Sequence, residues 1–127
     1  MKRIIIFLVV ALFIGITNVT GQEKEIVLSK NSIESLANGI HSENNGLKKS
    51  SMQMVSRYKL KQVCPILIEQ FANESEIGYK MFIAEVVYDV GCTEAIESFR
   101  TVLKDETIDE LKYFCKMLHE NYMFARN

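Results

Sequence analysis

The feature of this sequence that most limits its fold is a spacing of 32 residues between equivalent positions. Three helix-like stretches begin in the same register, at Leu47, Tyr79 and Leu111. Each of these residues is followed by a lysine: Lys48, Lys80 and Lys112. A unit that recurs at constant spacing is typical of stacked copies of one supersecondary structure.

The apolar residues between these markers follow a helical period. Ile83, Val86, Val87 and Val90 show the pattern, since they lie at i, i+3, i+4 and i+7. No alternating strand pattern is present, so we predict an all-α fold of about six helices. The predicted helices cover residues 33–40, 47–57, 63–71, 79–90, 95–103 and 108–123.

The N-terminus has the pattern of an export signal. Lys2 and Arg3 precede an apolar run of 13 residues, 4–16, and small or short residues follow at 19–21. The run is shorter than the ~20 residues of a membrane span. We therefore predict a signal peptide at 1–21, a flexible lead-in at 22–30 and a helical-repeat domain at 31–127. An uncleaved N-terminal anchor is the alternative.

The charge of the remaining chain bears on its partners and its location. Without Lys2 and Arg3, 13 basic residues face 16 acidic ones, a net charge of −3. This balance argues against nucleic-acid binding, which needs a basic face. No second membrane segment follows, so we expect an exported protein, periplasmic or secreted, that does not bind membranes once the signal is removed.

Three cysteines remain, and the register places each opposite an aliphatic residue of a neighbouring unit. Cys64 corresponds to Ile96, Cys92 to Leu60 and Cys115 to Ile83. Buried apolar cysteines are therefore favoured over a disulfide or a metal site. The spacing leaves open whether any two of them pair.

Two segments carry a resemblance to a known family: VCPILIEQF at 63–71 and IAEVVYDVGCTEAI at 83–96. The first resembles the second helix of a HEAT repeat, and the second resembles a first helix, its glycine turn and the start of the next helix. The period is similar to that of short bacterial HEAT-like units of the phycobilisome-lyase type. The resemblance implies a short right-handed α-solenoid of antiparallel helix pairs, with about two full pairs and a half-repeat at each end. The turns at 59–61 and 91–93 depart from the family's Gly-Asp-Pro pattern.

Catalytic motifs and cofactor-binding loops are not found in the sequence, so we predict no enzyme activity, no cofactor and no metal site. The alternative hypothesis is a metal-binding protein or enzyme centred on Cys115, His119 and Glu120 of the last helix. His119 is in register with Val55 and Val87, which favours a partly buried helix histidine instead.

Two surfaces are candidates for protein binding. Helical spacing predicts an exposed apolar patch of Met81, Tyr88, Tyr113 and Met117, which Phe124 extends. Coverage by a terminal segment is the alternative. The second surface is an acidic face with Glu69, Glu94 and Glu97, for which a solvated face is the simpler interpretation.

The predicted function is a non-catalytic, exported protein-binding module. A periplasmic inhibitor or a toxin-immunity protein is one concrete form of it, because the chain is small, has an export signal and lacks catalytic motifs. The protein partner is unidentified, and self-association through the apolar patch is a further hypothesis.

Overall fold

The computed structural model describes residues 26–126, with Glu94 described by its backbone alone. Within this range all regular structure is helical, which confirms the predicted all-α class with six α-helices. The helices are α1 (Lys30–Ile40), α2 (Asn45–Tyr58), α3 (Cys64–Asn73), α4 (Ile77–Val90), α5 (Thr93–Lys104) and α6 (Asp109–Arg126), with a 3-10 turn at Lys61–Val63 before α3. The predicted signal peptide, 1–21, lies outside the described residues, as do 22–25.

The helix ends follow from local chemistry. The Asn44 side chain accepts a hydrogen bond from the Leu47 N–H at 3.1 Å and caps α2. Pro65 lies in the first turn of α3, where the missing N–H leaves no hydrogen bond unmade. Gly91 ends α4 in the left-handed region, with φ of 74°, as predicted.

The helices contact one another in two alternating series. α1 packs on α3 and α3 on α5, while α2 packs on α4 and α4 on α6. Contacts between α1 and α2 and between α3 and α4 join the two series. The helix α4 therefore has three neighbours, whereas the main contact of α6 is α4 alone.

Two ion pairs repeat at the 32-residue spacing. Lys48 Nζ lies 2.9 Å from Glu74 Oε2, and Lys80 Nζ lies 2.8 Å from Glu106 Oε2. All four side chains are largely buried, and the two members of each pair are 26 positions apart. The junction between α2 and the α3–α4 loop is thus repeated one unit later, between α4 and the α5–α6 loop.

A disulfide joins Cys64 to Cys92, with 5.9 Å between their Cα atoms. Both residues are buried as expected, but the preference for unpaired apolar cysteines was wrong for this pair. Cys64 begins α3 and Cys92 precedes α5, and these helices pack together, so the two helix starts lie side by side. Cys115 is a buried free thiol.

The last described residues of the predicted lead-in contact the domain. The Leu28 N–H donates to Gln62 Oε1 at 3.0 Å, and the Leu28 side chain packs against the core. No helix within residues 26–126 is long and apolar enough to cross a membrane.

Candidate protein-binding surface

The last helix, α6, is apolar on both of its long faces. Its inward face contains the fully buried Leu111 and Cys115, with Phe114, Leu118 and Tyr122 partly buried beside them. These residues recur at i, i+3, i+4, i+7 and i+11, the spacing of one helical face, which packs against α4.

The outward face of α6 carries three large apolar side chains, which we call the α6 stripe: Tyr113, Met117 and Phe124. They are 66%, 45% and 84% exposed. Their spacing of i, i+4 and i+11 places them on one line along the helix. The prediction that Tyr113 and Met117 are exposed is confirmed, and Phe124 extends the surface they form.

Tyr88 does not belong to this surface, so the prediction of its exposure was wrong. It is only 7% exposed, and its ring makes edge contacts with Phe99 and His119. The physical reason is that Phe99 of α5 and His119 and Tyr122 of α6 cover this face of α4. Glu85 and Asp89 are the exposed side chains of its last two turns. Met81, on the same helix, is half-buried and packs against the core.

The predicted acidic face is present in part. Glu69 and Glu97 are exposed, as expected, and the side chain of Glu94 lies outside the description. Glu97 pairs with Arg100 at 3.4 Å, and both are well exposed, so this pair contributes little to stability. Glu97 lies next to the last helix, where it lines the groove described next.

A polar groove of about 470 Å³ lies between α5 and α6. Four basic residues line it, together with two acidic ones, Glu97 and Glu120. The basic residues are Arg100, Lys104, Lys112 and Lys116, all of them exposed. Among the described side chains, the groove therefore has two more positive than negative ones, although the whole chain has a net charge of −1.

The buried members of the groove form a hydrogen-bonded group. The Tyr88 hydroxyl lies 3.0 Å from His119 Nδ1, and His119 is partly buried, as its register position predicted. Burial raises the pKa of Tyr88 to about 12, and it raises the pKa of the Cys115 thiol to about 11. Both groups stay protonated at neutral pH, and a protonated thiol is a poor nucleophile.

The residues of the alternative metal hypothesis, Cys115, His119 and Glu120, all line this groove. Cys115 is buried and Glu120 is exposed, while one ring nitrogen of His119 is engaged by Tyr88. Within residues 26–126 no group of three or more His, Cys, Asp or Glu side chains is arranged to hold a metal ion.

The cationic side of the groove was missed by reasoning from the sequence. Lys112 marked the repeat register, but the register was used to place core positions, the acidic face and the apolar patch, and not the basic residues. The sequence contained a signal for it, because a lysine recurs at one register position as Lys48, Lys80 and Lys112. In the structure the first two of these lysines form ion pairs.

Comparisons of the chain with protein-family models, with curated proteins and with solved structures found no match.

Proposed function

We propose that this chain is a non-catalytic protein-binding module, and that the α6 stripe is its main contact surface. The observation that carries the proposal is the exposure of Tyr113, Met117 and Phe124 on a single line of one helix. Tyrosine, methionine and phenylalanine are enriched in protein interfaces, and contiguous exposed apolar side chains mark interaction sites.

We also propose that the six helices form a short right-handed HEAT-like solenoid of antiparallel pairs. Support comes from the alternating contacts, α1–α3–α5 and α2–α4–α6, and from the ion pairs that recur after 32 residues.

Export to the periplasm or out of the cell is part of the proposal. The Cys64–Cys92 disulfide supports it, because stable disulfides form and persist mainly in oxidising compartments. The basic and apolar start of the sequence is consistent with the same route. An inhibitor or toxin-immunity protein fits a small exported binding module. If no toxin-like gene lies beside this one, and cells that express this protein are not protected, the toxin-immunity hypothesis is wrong.

Site-specific photo-crosslinking in the source cells tests the contact surface. A photo-reactive phenylalanine analogue in place of Tyr113 or Phe124 should crosslink to one protein partner. The matched control is the same analogue in place of Tyr58, which is 50% exposed on α2. Equal crosslinking from Tyr58 and Tyr113, or none from either α6 position, would contradict the proposal.

The stripe also suits self-association, and light scattering separates the two cases. Wild-type protein is compared with a variant carrying Tyr113→Glu and Met117→Glu. A wild-type dimer that becomes a monomer in the variant would identify a second copy as the partner. The enzyme or metal hypothesis is tested by metal analysis of the purified protein and by stability measurements with and without chelator.

A further inference from the structure

The two buried ion pairs, Lys48–Glu74 and Lys80–Glu106, have a second feature in common besides their similar Nζ–Oε2 distances. In each pair the same carboxylate also accepts backbone hydrogen bonds from the loop that follows it. Glu74 Oε1 accepts from the Glu76 N–H at 3.3 Å, and Glu106 Oε1 accepts from the Ile108 N–H at 3.3 Å. One oxygen of each glutamate thus binds a lysine of an earlier helix, and the other organises the start of the next helix.

Lys112 occupies the third position of this register, on α6. Lys80 Nζ lies 5.1 Å from the ring centre of Phe71, and 32 residues later Lys112 and Leu103 line the groove together. Lys112 is exposed and forms no ion pair with any side chain that the structure describes. It has the register position of Lys48 and Lys80 without the carboxylate that each of them binds.

The surroundings of Lys112 favour an anionic occupant. Arg100, Lys104 and Lys116 line the same groove and outnumber Glu97 and Glu120, so the local charge is positive in an acidic chain. A local excess of positive charge attracts acidic segments and raises their rate of association. Lys116 and Met117 are consecutive in α6, so one partner can contact both the groove and the α6 stripe.

We propose that the groove between α5 and α6 binds an acidic segment of a protein partner, with a glutamate or aspartate carboxylate on Lys112. The segment would be a loop that leads into a helix, since both internal carboxylates have that setting. This inference rests on the proposed function, because it assigns a chemistry to the partner that contacts α6. It adds that the partner is recognised by charge as well as by apolar contact.

A peptide copied from the protein's own loop provides the probe. Residues 103–113 contain Glu106 and the start of α6, and a control peptide carries Glu106→Gln. Each is titrated into isotope-labelled protein with its disulfide intact, and amide chemical shifts are followed by NMR. Saturable shifts at Leu103, Lys112 and Lys116 are expected with the glutamate peptide, and about tenfold weaker binding with the glutamine peptide.

Two protein variants test the role of Lys112 in this binding. Lys112→Met should weaken binding of the glutamate peptide about tenfold, because it removes a charge-assisted hydrogen bond. The matched control, Lys49→Met, changes another exposed lysine, on α2, and should leave binding unchanged. Circular dichroism should show that both variants keep the fold, since neither lysine has a charged partner in the described residues.

Three results would overturn the inference. They are equal binding of the two peptides, unchanged binding to Lys112→Met, and shifts at Lys112 with inorganic phosphate but not with the peptide, which would indicate a small-anion site. The photo-crosslinking from Tyr113 is independent of these results. A crosslinked partner without peptide binding would leave the proposed function standing and remove the acidic-segment inference alone.

Discussion

The helices α4 and α6 share a register, but the structure uses them differently. Lys80 on α4 lies against Glu106 and is largely buried, while Lys112 on α6 is exposed and lines a groove. Tyr88 on α4 is enclosed by aromatic rings, while Tyr113 on α6 faces outward. A lysine or tyrosine stabilises the fold where a neighbouring helix or loop covers it. The same residue type can contact a partner where no described element covers it.

The largest expected difference between the two helices is in the free energy of unfolding that is lost when a tyrosine is replaced by alanine. Tyr88→Ala should lower the free energy of unfolding by about 3–5 kcal/mol, because it leaves a cavity among Phe99, His119 and Tyr122. Tyr113→Ala should change it by less than about 0.5 kcal/mol. Urea denaturation measures both values. Similar losses for the two variants would mean that α6 is covered in solution.

Loss of the disulfide should have the next largest effect on stability. The disulfide joins the start of α3 to the residue before α5, so it links the chain on both sides of α4. Replacing Cys64 and Cys92 together by alanine should cost roughly 3–4 kcal/mol, the loop-closure entropy for a sequence separation of 28. Cys115→Ala on α6 is the matched control, since it removes a buried thiol without a cross-link, and we expect about 1 kcal/mol. Reduction of the wild-type protein should reproduce the loss of the double variant. A loss no larger than that of Cys115→Ala would argue against the cross-link.

The paired Lys80 and the unpaired Lys112 allow a direct comparison of the stability lost when a lysine is replaced by methionine. Lys80→Met should cost about 2–3 kcal/mol, because it leaves the largely buried Glu106 carboxylate without its cation. Lys112→Met should cost less than about 0.5 kcal/mol. Adding Glu106→Gln to Lys80→Met should restore part of the stability, since the unpaired charge is then removed. No recovery would mean that the loss reflects packing and not charge.

The smallest expected effect is a dependence of stability on acid pH. The hydrogen bond from Lys80 holds the pKa of Glu106 below its ordinary value of 4.5. Burial alone would raise the pKa of Glu74, but hydrogen bonds from Lys48 and Gln70 outweigh it and leave this pKa lowered as well. A carboxyl whose pKa is lowered by folding stabilises the protein above its unfolded pKa, and this stability is lost as pH falls through the folded pKa.

Unfolding measured between pH 6 and pH 3 should therefore show a loss of stability that begins near the ordinary glutamate value. Lys80→Met should flatten the part of this loss that belongs to Glu106, while Lys112→Met should leave it unchanged. A flatter profile for Lys112→Met would show that Lys112 has a carboxylate partner within the protein.

The sequence predicted the elements of the fold well, because they depend on local chemistry. Helical periodicity gave six helices, Gly91 marked the end of α4, and Pro65 was placed in a first turn. The register also indicated which positions are core: Cys64, Cys92 and Cys115 are all buried.

The errors arose where the arrangement of whole helices decides the outcome. Tyr88 was expected outside because one face of α4 was taken as buried, whereas side chains of α5 and α6 cover the face that carries Tyr88. The disulfide was not preferred because the register places each cysteine opposite an aliphatic residue of a neighbouring unit. The sulfur atoms of Cys64 and Cys92 meet because α3 packs on α5, a lateral contact that spacing along the chain does not contain.

The disulfide has one further consequence for the durability of the chain. Cys64 and Cys92 close a covalent ring that contains α3, α4 and the loop between them, in which Ser75 and Glu76 are exposed. A protease that cuts this loop once opens the ring but releases no fragment, and the two new ends remain tethered beside their packing partners. The middle of the molecule can thus survive a nick, whereas a cut in the α5–α6 loop would leave α6 held by noncovalent contacts alone.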